Sequence, residues 1–346
     1  MANEVCARSL NQCDFSENTA WNGGGMISSG TTLTLTGCTF SGNSAEADGG
    51  GMHSIESGLS LTGCTFLQNS ADQRGGAMRN DRTSVTMLNS KITNNTAPQG
   101  GGIINEACPV ISLTNCLLSG NSAMIGAAMM SGICESVTLA NCTVSGNTAS
   151  TAGGGLANLQ APASLANVII WDNETNGDRT APEVSFYSMG EDLPIISNSL
   201  IANWGGSGNW NGALAVDEGG TIEADPLVVN PANGGYRLQT CSPAINKGGN
   251  ATLPGGVTQD ADGNPRTVHT VVDMGAFEYQ EALPAGNLAL HEDESTKNIS
   301  GPTDFYGNDE ACRLIARIEP TGTAPVSGSV TARVEIDPEV AFHNGS

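Results

Sequence analysis

Few residues in this 346-residue chain could do chemistry, and most of them recur at a fixed spacing. His53, Arg79 and Asn105 stand 26 residues apart, so a structure with that period would place a base, a cation and an amide in one row lining a polar groove. Asp48 and Arg74, and likewise Glu56 and Arg82, share the spacing and should face each other as solvated ion pairs worth about 1 kcal/mol or less. Polysaccharide elimination needs a proton acceptor beside carboxylates that hold a cation, and hydrolysis needs two carboxylates a few ångströms apart. No row in the sequence offers several acids with a base, so no enzyme activity is expected. Asp260-Ala261-Asp262-Gly263-Asn264 spaces oxygen ligands as a calcium loop does, but the distal Glu is missing. Calcium is therefore the one cofactor left open, and the favoured reading is a hydrogen-bonded cap between the aspartates and Arg266. Zinc is not expected, since there is no C-x-x-C and no neighbouring Cys/His pair.

Two further groups could bind. Thr34, Ser60, Thr86, Ser112 and Thr138, with Thr36, Thr62 and Thr114 beside them, would form a flat outward hydroxyl array suited to ice or a polysaccharide chain. Threonine is also what an exposed strand prefers without any ligand. Trp204 and Trp210 sit in a glycine-rich loop, where they would either cover the side of the fold or meet a sugar ring.

All these rows presuppose a repeat, and the repeat is explicit. Asn18, Asn43, Asn69, Asn95, Asn121, Asn147 and Asn173 step by 25 and then by 26. Cys13, Cys38, Cys64, Ser90, Cys116, Cys142 and Val168 follow the same steps. Gly24, Gly50, Gly76, Gly102, Ala128 and Gly154 step by 26, which puts the missing residue of the first unit between Asn18 and Gly24. Within each unit, triplets such as Leu33-Thr34-Leu35 and Val85-Thr86-Met87 alternate with period two and read as strands. A 26-residue unit without a helical stripe is too short for a βαβ crossover, so each unit should be one coil of a parallel solenoid. Its asparagines would form a ladder. Cys38 with Cys64, and Cys116 with Cys142, would stack inside as thiols, whereas Cys108 and Cys134, in loops, could form a disulfide.

The phrases Phe40-Ser41-Gly42-Asn43 and Phe66-Leu67-Gln68-Asn69, with Gly75-Gly76-Ala77-Met78 and Gly101-Gly102-Ile103, resemble the polymorphic outer-membrane-protein repeats of chlamydiae. Asp225-Pro226-Leu227, Gly235-Tyr236-Arg237-Leu238, Ser242-Pro243-Ala244-Ile245-Asn246, the run from Asp260 to Arg266, and Asp273-Met274-Gly275-Ala276-Phe277-Glu278-Tyr279 resemble the bacterial choice-of-anchor Q domain. The two resemblances cover roughly residues 10 to 280. They imply an all-β, right-handed parallel β-helix on the bacterial surface or secreted, adhesin-like or structural, with a surface glycan or protein as partner.

Composition agrees with a thin interior. Gly numbers 45, and aromatic residues are only 4% of the chain. Lys and Arg number 13 against 35 Asp and Glu, a net charge of −22, which excludes the clustered cations that nucleic acid or an anionic membrane would need. No apolar run approaches the roughly 18 residues of a membrane span. The expected organisation is regular coils over 1–173, irregular coils and a closing motif over 174–280, an acidic linker over 281–300, and a partial β domain over 301–346. Within it, 174–190 reads as an inserted loop and 312–318 and 328–336 as a hairpin.

Overall fold

The computed structural model describes residues 7–180, 184–187, 193–204, 206, 215–231 and 234–281, and the strands Ala289–His291, Asn298–Ile299 and Arg333–Glu335. Trp210 and residues 312–318 lie outside the described residues. Contacts divide the chain into one unit up to Gln280 and a second from Glu281.

The first unit is a right-handed parallel β-helix. One full winding reads Thr32–Thr36, Thr39–Ser41, Ser44–Asp48 and Met52–Ile55, four short strands that turn the chain once and deliver it beneath its own start. The first face accumulates nine strands, from Ala7–Asn11 through Thr32–Thr36 and Gly58–Thr62 to Ile195–Ser197 and Val216–Asp217. The second face holds eight and the fourth seven, and the third is two patches of three linked by single bridges at Thr96. Eight steps of about 4.8 Å make the first face about 38 Å tall.

Period-two alternation decides what enters the narrow interior. Leu33 sits on Leu59 and Leu35 on Leu61, and all four are buried while Thr34 and Ser60 face out. Phe15, Phe40 and Phe66 stack at centroid distances of 4.6 and 4.7 Å. Glycine is obligatory where windings touch: a Cβ on Gly50 would lie 2.3 Å from the carbonyl oxygens of both Gly76 and Ser70. The strands are fixed in height by the asparagine ladder. Asn43 donates from its backbone N and from Nδ2 to Asn69 Oδ1 at 3.0 and 2.9 Å, and the same pair of bonds runs through Asn95, Asn121 and Asn147 to Asn173.

The spacing is less uniform than the sequence suggested. The residue missing from the first winding falls between Ala20 and Asn22, as expected. Thr96 still sits on Ser70 but Gln99 on Arg74, so the arc containing Pro98 is one residue short. Met78 consequently lies on Ile103, and Gly101, not Gly102, continues the glycine row. Val85 on Ile111 restores the step of 26, the extra residue falling beside Pro109. A step of 27 follows at Met129 on Leu156. The stretch 174–190 is no simple loop: Glu174–Thr175 pairs with Thr148–Ala149, and the β-forming Val184–Tyr187 pairs with Leu156–Leu159.

Cys38, Cys64, Cys108, Cys116, Cys134 and Cys142 are all buried free thiols, so the disulfide considered for Cys108 and Cys134 does not form. Their thiols donate to backbone carbonyls instead, Cys108 to Asn80 and Glu106 and Cys134 to Asn105 and Gly132, and the neighbouring Cys134 thiol, with burial, pushes the Cys108 thiol up. Cys241 is disulfide-bonded. In the second unit, Leu290 pairs antiparallel with Ile299 and Val334, so apolar positions in the stretch read as a linker form strands.

The ladder makes a direct prediction. Asn95→Ala leaves the N–H and Nδ2 of Asn69 and the carbonyl of Phe66 without their partner. It should cost on the order of 2 to 4 kcal/mol, read as a lower urea midpoint with unchanged slope.

Candidate functional site

Ionisable side chains gather at two places. The first is the outer side of the fourth face. There the chain leaving the third face doubles back at a positive-φ glycine, so that a Cβ on Gly49 would meet His53 Cα at 2.9 Å, and one on Gly75 would meet Arg79 N at 2.8 Å. This roof carries Asp48 and Arg74 over the row below. Arg74 grips Asp48 with Nε and Nη2 at 3.1 and 3.3 Å, and its Nη1 reaches Glu106 at 3.1 Å. Arg79 pairs with Asp48 through Nη1 and with Glu106 through Nη2, the latter at 2.8 Å. Asp81 lies 3.8 Å from Arg79 and 2.8 Å from Arg82, which also pairs with Glu56 at 3.1 Å. Four carboxylates and three guanidiniums thus form one lattice.

His53 sits on Arg79 in register, as the spacing implied. It is 5% exposed and neither ring nitrogen has a hydrogen-bond partner. Burial, and then the neighbouring Arg79 charge, hold its pKa below the usual imidazole range, against the pull of Asp48 and Asp81. Asn105 does not belong to this row. The short arc at Pro98 shifts it by one position, onto Asn80, where it is fully buried and donates to Ser131. Ile104 takes the place expected for it. No single row offers several acids with a base; the cluster gathers its acids from different rows, the roof adding Asp48 and the slip bringing Glu106 beside Arg79. Chemically, Arg79 is fixed as a cation between carboxylates, and both Asp48 oxygens are taken. His53 is left as the one unengaged base of the cluster.

The second place is the closing segment, residues 226–280, laid over the outer side of the second face. Ala276 accepts no room for solvent there: its N–H is bonded to Thr143 Oγ1 at 2.9 Å, and Tyr236, Ala261 and Phe277 pack with Leu117. Asn115 donates to Gln259 O, and Asn167 exchanges bonds with Gly249. The sequence does signal this cover. Outward Thr39 and Thr65 become Leu117 and Ile169 higher up, so Leu117-Leu118 and Ile169-Ile170 are adjacent buried residues, meaning a strand covered on both faces.

A charge knot holds this segment closed. Arg266 is fully buried, with Nη2 on the carbonyl of Asp273 at 2.8 Å and Nε 3.9 Å from Glu278. Asp273 accepts the N–H groups of Asn246 and Tyr279. Glu278 accepts that of Asp273, and Asp260 Oδ2 accepts that of Glu278. Burial, then the Asp273 charge, pushes Glu278 up to about 7, and burial raises Asp273 too. The possible calcium ligands do not converge. Asp260 Oδ1 accepts the N–H groups of Asp262 and Asn264, while Asp262 points away to Lys91 at 2.8 Å and Arg237 at 2.7 Å. Among the described residues no His, Cys, Asp and Glu cluster has metal-binding geometry.

The hydroxyl row is real as a row. Thr34, Ser60, Thr86, Ser112 and Thr138 are successive register partners, exposed as far as Thr86 and half-buried from Ser112. It ends in Ile195 and Val216, which with Ser164, Pro162, Ser136 and Leu193 line a shallow groove of about 400 Å³. Trp204 is 6% exposed and packs into the main core, so it covers the winding and presents no face to a sugar.

Opposite pH dependences follow from the two clusters. His53 titrates lower folded than unfolded, so its contribution is present above the unfolded value near 6.5 and is lost as pH falls from there through the lower folded value. Glu278 titrates higher folded, so stability is lost as pH rises from about 4.5 to about 7, by on the order of 3 kcal/mol. Glu278→Gln should flatten that second slope in melts across pH 4 to 8. Calcium titration should leave the wild-type melting temperature unchanged.

Residues 2–132 match the profile of a family described as right handed beta helix region. No curated protein sequence matches the chain. The profile covers the windings that carry the charge lattice and the exposed part of the hydroxyl row, and this stretch of the chain is similar to right-handed β-helix regions.

Proposed function

We propose that the protein is a secreted or surface-displayed bacterial β-helix module, acting as an adhesin-like or structural stalk. The observation that carries this reading is the ladder: six consecutive asparagine steps lock the windings at a fixed height, giving a stiff column whose outward residues are free to vary. The resemblance of the closing segment to the choice-of-anchor Q domain supports a surface location. Its buried Arg266 knot gives the segment a structural task, that of sealing the side of the column. The acidic net charge suits a soluble display element and disfavours nucleic acid as partner.

A second reading, binding or degradation of a polysaccharide, is favoured by the groove that closes the hydroxyl row and by the unengaged His53 beside Arg79. The roof over that cluster argues against turnover, since a substrate would have to lift Asp48 and Arg74 from their partners. Ice binding through the hydroxyl row is a third reading. The row alternates Ser with Thr and sinks from Ser112 onward, which breaks the flat array it needs.

A glycan array and a lyase and hydrolase screen separate these. The stalk reading expects glycan or protein binding, if any, without product formation. Turnover of a uronate polysaccharide, lost in Arg79→Ala, would install the enzyme reading in its place, and thermal hysteresis would do the same for ice.

A further inference from the structure

The buried row Ser57, Thr83, Cys108, Cys134 and Ala161 changes chemistry as it climbs the corner between the fourth and first faces. In the lower windings a hydroxyl donates to the carbonyl two residues before it, Ser57 to Ile55 at 2.8 Å and Thr83 to Asp81 at 3.0 Å. Cys108 and Cys134 take the same place, 3.4 Å from the Glu106 carbonyl and 3.5 Å from that of Gly132. Each also faces a carbonyl of the winding before, Cys108 that of Asn80 and Cys134 that of Asn105. A thiol is the weaker donor, so the hydrogen bond alone gives no reason for sulfur here.

Because the two thiols share one orientation, and the Glu135 N–H bonds the Cys108 carbonyl between them at 2.9 Å, one sulfur lies over the other by a single rung, about 4.8 Å. Disulfide sulfurs stand about 2.0 Å apart, and both thiols here are free. The rung matches a different unit. A metal–thiolate bond is about 2.3 Å, so a linear sulfur–metal–sulfur bridge spans about 4.6 Å. The sulfurs already act on each other's protons, since Cys134 pushes the Cys108 thiol up and Cys108 holds the Cys134 thiol down. Among the described residues no third His, Cys, Asp or Glu joins the pair, which excludes zinc and calcium with their four or more ligands and leaves a soft ion satisfied by two. The flanking Ala107, Pro109, Ile133 and Glu135 are all exposed, so the pair lies one residue from solvent. Cys116 and Cys142 repeat the spacing, but Asn115, Leu117, Asn141 and Thr143 enclose them. We propose that Cys108 and Cys134 form a two-coordinate site for a soft, closed-shell monovalent cation of the copper(I) and silver(I) kind, held linearly between the sulfurs. Binding breaks two S–H bonds, forms two sulfur–metal bonds and releases two protons to solvent, with no change of oxidation state.

Silver(I) is the probe, because it needs no reductant and leaves the disulfide at Cys241 intact. Titrated into the full chain, its first equivalent should raise the melting temperature and show two sulfur neighbours in line by X-ray absorption. Cys108→Ser and Cys134→Ser, which continue the hydroxyls of Ser57 and Thr83, should each weaken that equivalent at least tenfold. Cys64→Ser, which copies Ser90 one winding on, should leave it within twofold. A first equivalent untouched by the two corner substitutions, or held by one sulfur or by three, would overturn the proposal. So would a Cys108–Cys134 disulfide in mass spectra of the protein as isolated, because the sulfurs would then stand within bonding distance of each other. None of these readouts involves glycan binding or turnover, so the outcome is independent of the surface role.

Discussion

Register between windings is the constraint on which the rest of this molecule depends. A coil with a thin interior buries little apolar surface per residue, so small errors of height would expose much of it. The ladder removes that freedom, since each carboxamide oxygen takes two donors from the winding before it while its nitrogen bonds a backbone carbonyl of that same winding, as Asn69 does with Asn43 and Phe40. These groups are buried, so leaving any of them unpaired costs more than pairing it gains. Phenylalanine stacking and inward leucines supply the attraction, and the amides decide where the attraction is allowed to act.

Fixed register also explains how polar clusters can be built on such a plain scaffold. A side chain in one winding finds a partner at the same position of the next, and a turn glycine lets the preceding arc fold down over both. The lattice of Asp48, Arg74, Arg79 and Glu106 therefore draws on three windings and two faces. Its half-buried members interact more strongly than solvated surface pairs do, but each guanidinium is also held away from other work. In the closing segment the same logic appears without periodicity. Three acids surround one fully buried arginine, and burial together with the Asp273 charge raises Glu278 to about 7.

The features legible in the sequence were those that repeat. The strands, the ladder, the inward cysteines and the His53–Arg79 contact all follow from a step of 26 with alternation. What was not legible were departures that cancel: one residue lost at Pro98 and regained at Pro109 leaves the asparagine and cysteine series intact while moving Asn105 off its row and Glu106 onto Asp81, within reach of Arg79. A period counted on outer landmarks cannot see a slip confined between them. The roof was missed for a related reason, since it depends on the direction a turn takes at Gly49 and Gly75 and not on spacing. The cover over the second face left a plain trace in Leu117-Leu118 and Ile169-Ile170, because an exposed strand has no use for two neighbouring large apolar residues. Trp204 gave no such trace, as an aromatic in a glycine-rich run fits a core anchor and a binding tip equally well.

The ladder is polarised along the column. Each ladder Oδ1 takes its two donors from the winding before it, and each Nδ2 reaches back as well to a carbonyl of that winding. Asn173 keeps the Nδ2 bonds of the ladder, to the Val144 and Trp171 carbonyls, as Asn147 makes them to Leu118 and Ser145, and beyond it the closing segment wraps back along the second face. Side chains there are bulky and mixed, with Tyr236, Tyr279 and Arg266 all buried. The first described winding carries the repeat with one residue fewer, the step changing between Ala20 and Asn22. The windings beneath the closing segment answer it in sequence, with Leu117 and Ile169 where Thr39 and Thr65 stand lower down, so the departure from the repeat is written on both sides of that contact.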